Sequence, residues 1–79
     1  MLKIKMRCPI YYGTAANYYI SKYGGKVSKT TYSCVFSTIT FLIDSCNDIY
    51  TMMGDFGRAG CEDIIILKVK EVKKRWWNK

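Results

Sequence analysis

The 79-residue sequence contains no histidine and only six acidic residues. Histidine is the side chain that most often carries out general acid–base work near neutral pH, and a cysteine nucleophile would lack its usual base here. The carboxylates are sparse and fall mainly in one central segment of the chain. We therefore expect a protein that is not an enzyme.

The cysteines do not form a zinc-binding pattern. Cys8, Cys34, Cys46 and Cys61 are widely spaced, and the chain has no C-x-x-C pair. The N-terminus alternates charged and apolar residues, so it lacks the apolar centre of a signal peptide. We expect reduced, mostly buried thiols in a cytoplasmic protein, with no bound metal and no cofactor.

Long hydrophobic runs are also missing. The longest uncharged run, residues 30–43, contains several hydroxyl side chains and is shorter than the ~20 apolar residues that a transmembrane helix needs. We expect no membrane partner. Hydrophobic residues still make up 49% of the chain, which is typical of a folded protein, and 79 residues leave room for one core. The sequence therefore predicts a single domain over residues 1–79.

Three segments have the composition or alternation of β-strands. Residues 2–8 alternate apolar with basic side chains, as a strand with one buried and one solvent-facing side does. Residues 26–36 are rich in Tyr, Val and Thr and predict a second strand. In the last strand, within residues 64–72, we expect one side to face the core and the other to carry lysines. The core side is predicted to hold Ile65, Leu67 and Val69, and the opposite side Lys68 and Lys70.

The segment of residues 37–53 has apolar residues at intervals of three and four, which predict an amphipathic helix. Ser37 or Thr38 can cap its start, and Gly54 is expected to end it before a loop over residues 55–63. The β-branched residues at positions 38–40 could instead extend the preceding strand. The predicted apolar side of this helix comprises Ile39, Leu42, Ile43, Cys46, Ile49, Tyr50 and Met53.

Residues 14–23 fit either a helix or a strand. The Gly24-Gly25 pair suits both a two-residue hairpin turn and the left-handed cap that follows a helix, so both interpretations stay open. We predict an α+β domain with a small three- or four-stranded, mainly antiparallel sheet packed on one main helix. A second, short helix is present if residues 14–23 are helical.

The net charge of +7 is divided unevenly. Residues 1–36 contain six basic and no acidic residues, whereas five of the six acids lie in residues 44–63. If the apolar sides of the strands pack on the helix, the opposite face of the sheet is basic and attracts polyanions. It could equally meet an acidic patch on another protein. The candidate binding residues on this face are Lys3, Lys5, Arg7, Lys68 and Lys70.

The C-terminal end, residues 73–79, is basic and contains both tryptophans of the chain. Cations can hold phosphates, and indole rings can stack on bases or fill a partner's pocket. The alternative is a basic tail whose tryptophans fold back onto the core. The binding interpretation adds five candidate residues, namely Lys73, Lys74, Arg75, Trp76 and Trp77.

In its small size, its abundance of Lys, Ile and Tyr and its lack of a catalytic constellation, the chain resembles small inhibitor proteins encoded by phages and viruses, such as anti-CRISPR and host-takeover proteins. The resemblance implies a non-catalytic inhibitor or modulator that docks on a host protein or nucleoprotein complex in the host cytoplasm. Direct nucleic-acid binding is the alternative, and a small structural or assembly subunit is a second one. The oligomeric state is left open.

Overall fold

The computed structural model describes residues 1–44 and 46–72. Six main elements follow one another in the order β-α-β-β-α-β, and a short 3₁₀ turn, Ile10–Tyr12, joins the first strand to the first helix. This arrangement confirms the predicted α+β class. The elements are β1 (Leu2–Pro9), α1 (Gly13–Lys22), β2 (Lys26–Tyr32), β3 (Phe36–Ile43), α2 (Cys46–Arg58) and β4 (Ile65–Glu71).

The four strands form one antiparallel sheet in the order β2-β3-β1-β4. The strands that α1 connects, β1 and β2, are separated by β3, and those that α2 connects, β3 and β4, are separated by β1. This is the split βαβ, or ferredoxin-like, arrangement. Because proteins with this fold have many unrelated activities, the fold alone does not indicate the function of this chain.

The core lies between one face of the sheet and the two helices. The central strands β1 and β3 send alternate side chains into it, and both helices contribute apolar residues. Burying each of the larger side chains stabilises the fold by roughly 1.5–3 kcal/mol before the cost of ordering the chain is counted. Because both helices cover this face, the opposite face of the sheet is open. The buried core residues are Ile4, Met6, Cys8, Ala16, Ile20, Ile39, Phe41, Ile43, Ile49, Met52 and Phe56.

The segment that the sequence left ambiguous is the helix α1. Its C-terminal end is closed by two backbone hydrogen bonds, from Gly24 N–H to the Ser21 carbonyl at 3.0 Å and from Gly25 N–H to the Ile20 carbonyl at 2.8 Å. Together they form a Schellman motif, which requires a left-handed residue at the position of Gly24, whose φ is 79°. The Gly24-Gly25 pair is therefore a helix cap and not a hairpin turn.

The predicted helix over residues 37–53 is wrong at its start. Residues 36–43 form the strand β3 instead, with every second side chain buried. Ile39 and Ile43 are four residues apart, a spacing that places them on one side of either a helix or a strand. The β-branched residues at positions 38–40 favour the strand. The predicted strand over residues 26–36 is consequently shorter, because β2 ends at Tyr32 and a turn leads into β3.

The predicted end of this helix is also wrong. Gly54 lies inside α2, which continues to Arg58, so the predicted loop over residues 55–63 begins later. The helix ends in a second Schellman motif: Gly60, with φ of 80°, donates to the Gly57 carbonyl, and Cys61 donates to the Phe56 carbonyl. The glycine that follows the helix is therefore Gly60, and not Gly54 as predicted. No helix in the described part of the chain is long and apolar enough to cross a bilayer.

The strand β4 does not alternate as predicted. A β-bulge at Leu67 shifts its pairing with β1, so that Lys68 lies opposite Lys5 but Ile66 lies opposite Met6. An extra residue of this kind resets the alternation of side chains. Ile66 therefore packs against the core, whereas Ile65, predicted to do so, is 43% exposed on the open face.

Candidate functional site

Two rows of side chains rich in lysine cross the open face of the sheet. In the first row, Lys68 lies opposite Lys5, Lys5 opposite Thr40, and Thr40 opposite Lys29. The second row lies about 7 Å away, since two strand residues separate the rows. It runs Lys70, Lys3, Leu42, Lys26 across the same four strands. We call the six lysines of both rows the lysine face: Lys3, Lys5, Lys26, Lys29, Lys68 and Lys70.

The lysine face borders a shallow groove of about 420 Å³. Two hydroxyl side chains lie among the ammonium groups. Thr40 comes from the central strand β3, and the Ser28 hydroxyl donates a hydrogen bond of 3.2 Å to the Thr40 carbonyl. The groove thus offers lysine ammonium groups and the Thr40 hydroxyl as hydrogen-bond donors to one ligand, a combination that suits an oxyanion. Its lining residues are Lys3, Lys5, Ser28, Lys29, Thr40, Lys68 and Lys70.

The electrostatics of this face are unbalanced. Lys5 faces Lys68 and Lys3 faces Lys70 directly across neighbouring strands, where like charges destabilise a sheet. Within residues 1–44 and 46–72, no ion pair includes a lysine of this face. Glu71, next to Lys70 in sequence, lies opposite Leu2 and so projects towards the helix side. An anion bound across the rows would relieve this repulsion.

The helical layer on the other side of the sheet carries a polar cluster around the Asp55 carboxylate. The Asp55 carboxylate accepts hydrogen bonds from the Tyr23 hydroxyl and from Arg58, and the Lys22 ammonium lies 3.5 Å away. The bond from Tyr23 lowers the pKa of Asp55, and Arg58 and Lys22 lower it further. The same bond raises the pKa of Tyr23. This cluster joins the C-terminal end of α1 to α2 on the helix side of the sheet.

Arg7 occupies the next row of the open face, beyond Lys5, and lies opposite Thr38 and Ile65. Its guanidinium carbon is 4.6 Å from the centre of the Phe36 ring, which is the geometry of a cation–π contact. The Arg7 Nε is buried and has no hydrogen-bond partner among the described residues. The sequence predicted Arg7 as a site residue but did not single out Phe36.

The structure places the predicted residues Lys3, Lys5, Arg7, Lys68 and Lys70 together on one face of the sheet. Sequence reasoning did not include two further lysines of β2 in the site, because strict alternation puts Lys26 and Lys29 on opposite faces. A bulge at Ser28 brings both to the open face. The signal that could have found them is the absence of any acid in residues 1–36.

The other predicted binding residues, Lys73, Lys74, Arg75, Trp76 and Trp77, lie outside the described residues, and their role stays a prediction. The segment that holds them begins after Val72, whose N–H donates a hydrogen bond of 2.9 Å to the Met1 carbonyl.

Within the described ranges, no group of three Cys, Asp or Glu side chains is placed to hold a metal ion. No protein-family model matches the sequence, and no curated protein matches it.

Proposed function

We propose that this chain is a non-catalytic binding protein that docks through its lysine face on the phosphate backbone of a nucleic acid, free or held in a nucleoprotein complex. The observation that carries the proposal is the opposition of Lys5 to Lys68 and of Lys3 to Lys70 on the sheet. Repulsion between these pairs lowers the stability of the free protein. A bound anion would offset this repulsion, so a surface with facing lysine pairs suits anion binding better than it suits contact with water alone.

The composition of the face favours phosphate over an acidic protein surface. Lysine binds phosphate as a compact point charge, whereas the central residues of protein interfaces are enriched in Trp, Tyr and Arg. The most exposed tyrosines lie elsewhere: Tyr18 and Tyr50 are on the two helices, Tyr11 is in the 3₁₀ turn, and Tyr32 is opposite the buried Ser37. In addition, two lysine rows about 7 Å apart offer cations to more than one phosphate of a bound strand.

Binding of this kind acts by occupancy. A small protein that covers a phosphate surface in a nucleoprotein complex can block access to it without any chemistry, which is the modulator role that the resemblance to viral inhibitors implies. In that role the partner is a host nucleoprotein complex and the compartment is the host cytoplasm. The basic residues of the C-terminal segment, residues 73–79, would add to the attraction for phosphate.

The test is fluorescence anisotropy of labelled single-stranded and duplex oligonucleotides over a salt series. For single strands, the logarithm of the binding constant should fall linearly with log salt, by about 0.7 per phosphate contact. Lys5→Gln should weaken binding and make that slope shallower by about 0.7, the value for one phosphate contact. Lys22→Gln removes the same charge from α1, away from the face, and should leave affinity within about twofold.

Two results would contradict the proposal. One is an absence of oligonucleotide binding at low salt combined with binding of an acidic polypeptide such as polyglutamate, which would identify a protein as the partner. The other is an equal loss of affinity in the Lys5 and Lys22 variants, which would show that overall charge, and not the lysine face, determines binding.

A further inference from the structure

The contact between Arg7 and Phe36 lies at the end of the lysine face and differs from it chemically. The lysines are mobile point charges, whereas Arg7 has a planar cation held against an aromatic ring at 4.6 Å. We infer that this pair is a stacking position for one unpaired nucleobase, so that the ligand of the open face is single-stranded nucleic acid. The inference rests on the proposed function and names its ligand more closely.

The position of the pair suits a strand that follows the lysines. Arg7 is two residues beyond Lys5 on β1, so its row lies about 7 Å from the first lysine row. A chain whose phosphates contact the lysine rows would bring its next nucleotide to Arg7. The row also contains Thr38 and Thr31, paired across β3 and β2 on the same face. Their hydroxyls can donate to or accept from the edge of a base.

The contact with Phe36 prepares Arg7 for this role. Both residues are half-buried, so the ring supports the guanidinium while part of the group stays accessible to a ligand. Arginine planes and aromatic rings are the side-chain surfaces on which unpaired bases stack. In a duplex the bases are already stacked on each other and are not available to such a plane.

The hydrogen bonding of Arg7 supports a ligand role over a structural one. A structural arginine on a sheet commonly uses its fork of donors in an ion pair. In the described part of the chain Arg7 makes no ion pair. Its Nε is buried without a partner, so the part of the group open to a ligand is the rest of the guanidinium. The contact that the structure does provide for the guanidinium is the ring of Phe36.

The experiment compares an oligothymidine of about fifteen nucleotides with an abasic deoxyribose-phosphate chain of the same length and charge. The wild-type protein should bind the oligothymidine at least about fivefold more tightly, since each stacked base adds this much or more. Arg7→Lys keeps the charge but removes the plane. It should bring the affinity ratio close to one while leaving affinity for the abasic chain nearly unchanged, and Phe36→Leu should do the same.

The matched control is Arg58→Lys, the same substitution on α2, which should keep the wild-type ratio. Thermal unfolding of each variant establishes that it is folded. Equal affinity of the wild-type protein for both oligomers would overturn the stacking position and leave the lysine-face proposal standing. If the Arg7 and Phe36 variants both keep the wild-type affinity ratio, the stacking position is also overturned. Failure to bind either oligomer would overturn both proposals.

Discussion

The hydroxyl of Tyr23, the residue that follows α1, donates a hydrogen bond to the Asp55 carboxylate on α2, across 32 positions of the sequence. Arg58 and Lys22 contact the same carboxylate, whose side chain is only 12% exposed. The two helices are thus joined by a polar contact as well as by the core. This contact makes the stability of the fold sensitive to pH.

We predict that Asp55→Asn removes a component of the acid sensitivity. The hydrogen bond from Tyr23, followed by Arg58 and Lys22, lowers the pKa of Asp55 below its ordinary value of 3.8 in the folded protein. The resulting stabilisation is complete above pH 3.8 and is lost as the pH falls through the folded-state pKa. The variant should melt at a lower temperature than the wild-type protein at neutral pH. On acidification its melting temperature should fall by less. Thermal unfolding from about pH 2 to pH 7 measures this.

The control for this prediction is Glu62→Gln, which neutralises an exposed carboxylate in the loop after α2. It should keep the full acid-induced loss of the wild-type protein. A parallel pH dependence of the wild-type protein and the Asp55 variant would show that the contact with Tyr23 does not stabilise the fold.

Two glycine substitutions should change stability in opposite directions. A Cβ at Gly25 would lie 2.7 Å from the Ile20 Cγ2 and 3.0 Å from the Ile20 carbonyl oxygen, so Gly25→Ala should cost about 1–3 kcal/mol. A Cβ at Gly57, within α2, has nothing within 4 Å, so Gly57→Ala should stabilise the protein by about 0.5–1 kcal/mol. Urea unfolding measures both, and a stabilised Gly25 variant would argue against the close packing at the end of α1.

Lys68→Glu should stabilise the protein and weaken its binding. The substitution converts the like-charge pair with Lys5 into an opposite-charge pair and should add about 0.5 kcal/mol to the free energy of unfolding. Affinity for a single strand should fall by roughly tenfold at low salt. Lys22→Glu makes the same charge change beside Asp55 and should instead destabilise the fold. If Lys68→Glu lowers the melting temperature, the lysines do not repel each other as proposed.

The bulge in β4 is tested by two neighbouring alanine substitutions. Ile66 packs against the core, so Ile66→Ala should cost about 2 kcal/mol. Ile65 is on the open face, and Ile65→Ala should cost less than about 1 kcal/mol. If urea unfolding shows that Ile65→Ala costs more than Ile66→Ala, then β4 has no bulge and alternates as the sequence predicts.

This pair of isoleucines also illustrates how far the sequence determines the fold. The strand β1 is predictable because it has no irregularity, and its alternation correctly places Lys3 and Lys5 on the open face. The bulges at Ser28 and Leu67 depend on pairing with a neighbouring strand, and the alternation of residues within one strand does not reveal them. For that reason the side of Lys29 could not be predicted from alternation.

The boundary between β3 and α2 was missed for a different reason. Ile39 and Ile43 satisfy the helical and the strand period at once, so the helical spacing of apolar residues in α2 continues back into β3. Gly54 is tolerated inside α2 because the tertiary packing of Met52 and Phe56 outweighs its weak helix propensity. The contact between Arg7 and Phe36 joins two strands, and no spacing within either strand indicates it.

Each outer strand of the sheet leaves one row of backbone N–H and C=O groups without a neighbouring strand, and such a row can template the addition of another chain. In this protein β2 carries Lys26, Lys29 and a bulge, and β4 carries Lys68, Lys70 and a bulge. Edge charges and bulges are known means of preventing such polymerisation. The lysines proposed to bind phosphate would therefore also oppose edge-to-edge pairing between copies of the chain. We expect variants that neutralise several of them at once to aggregate, and charge-reversed variants to keep their edges protected.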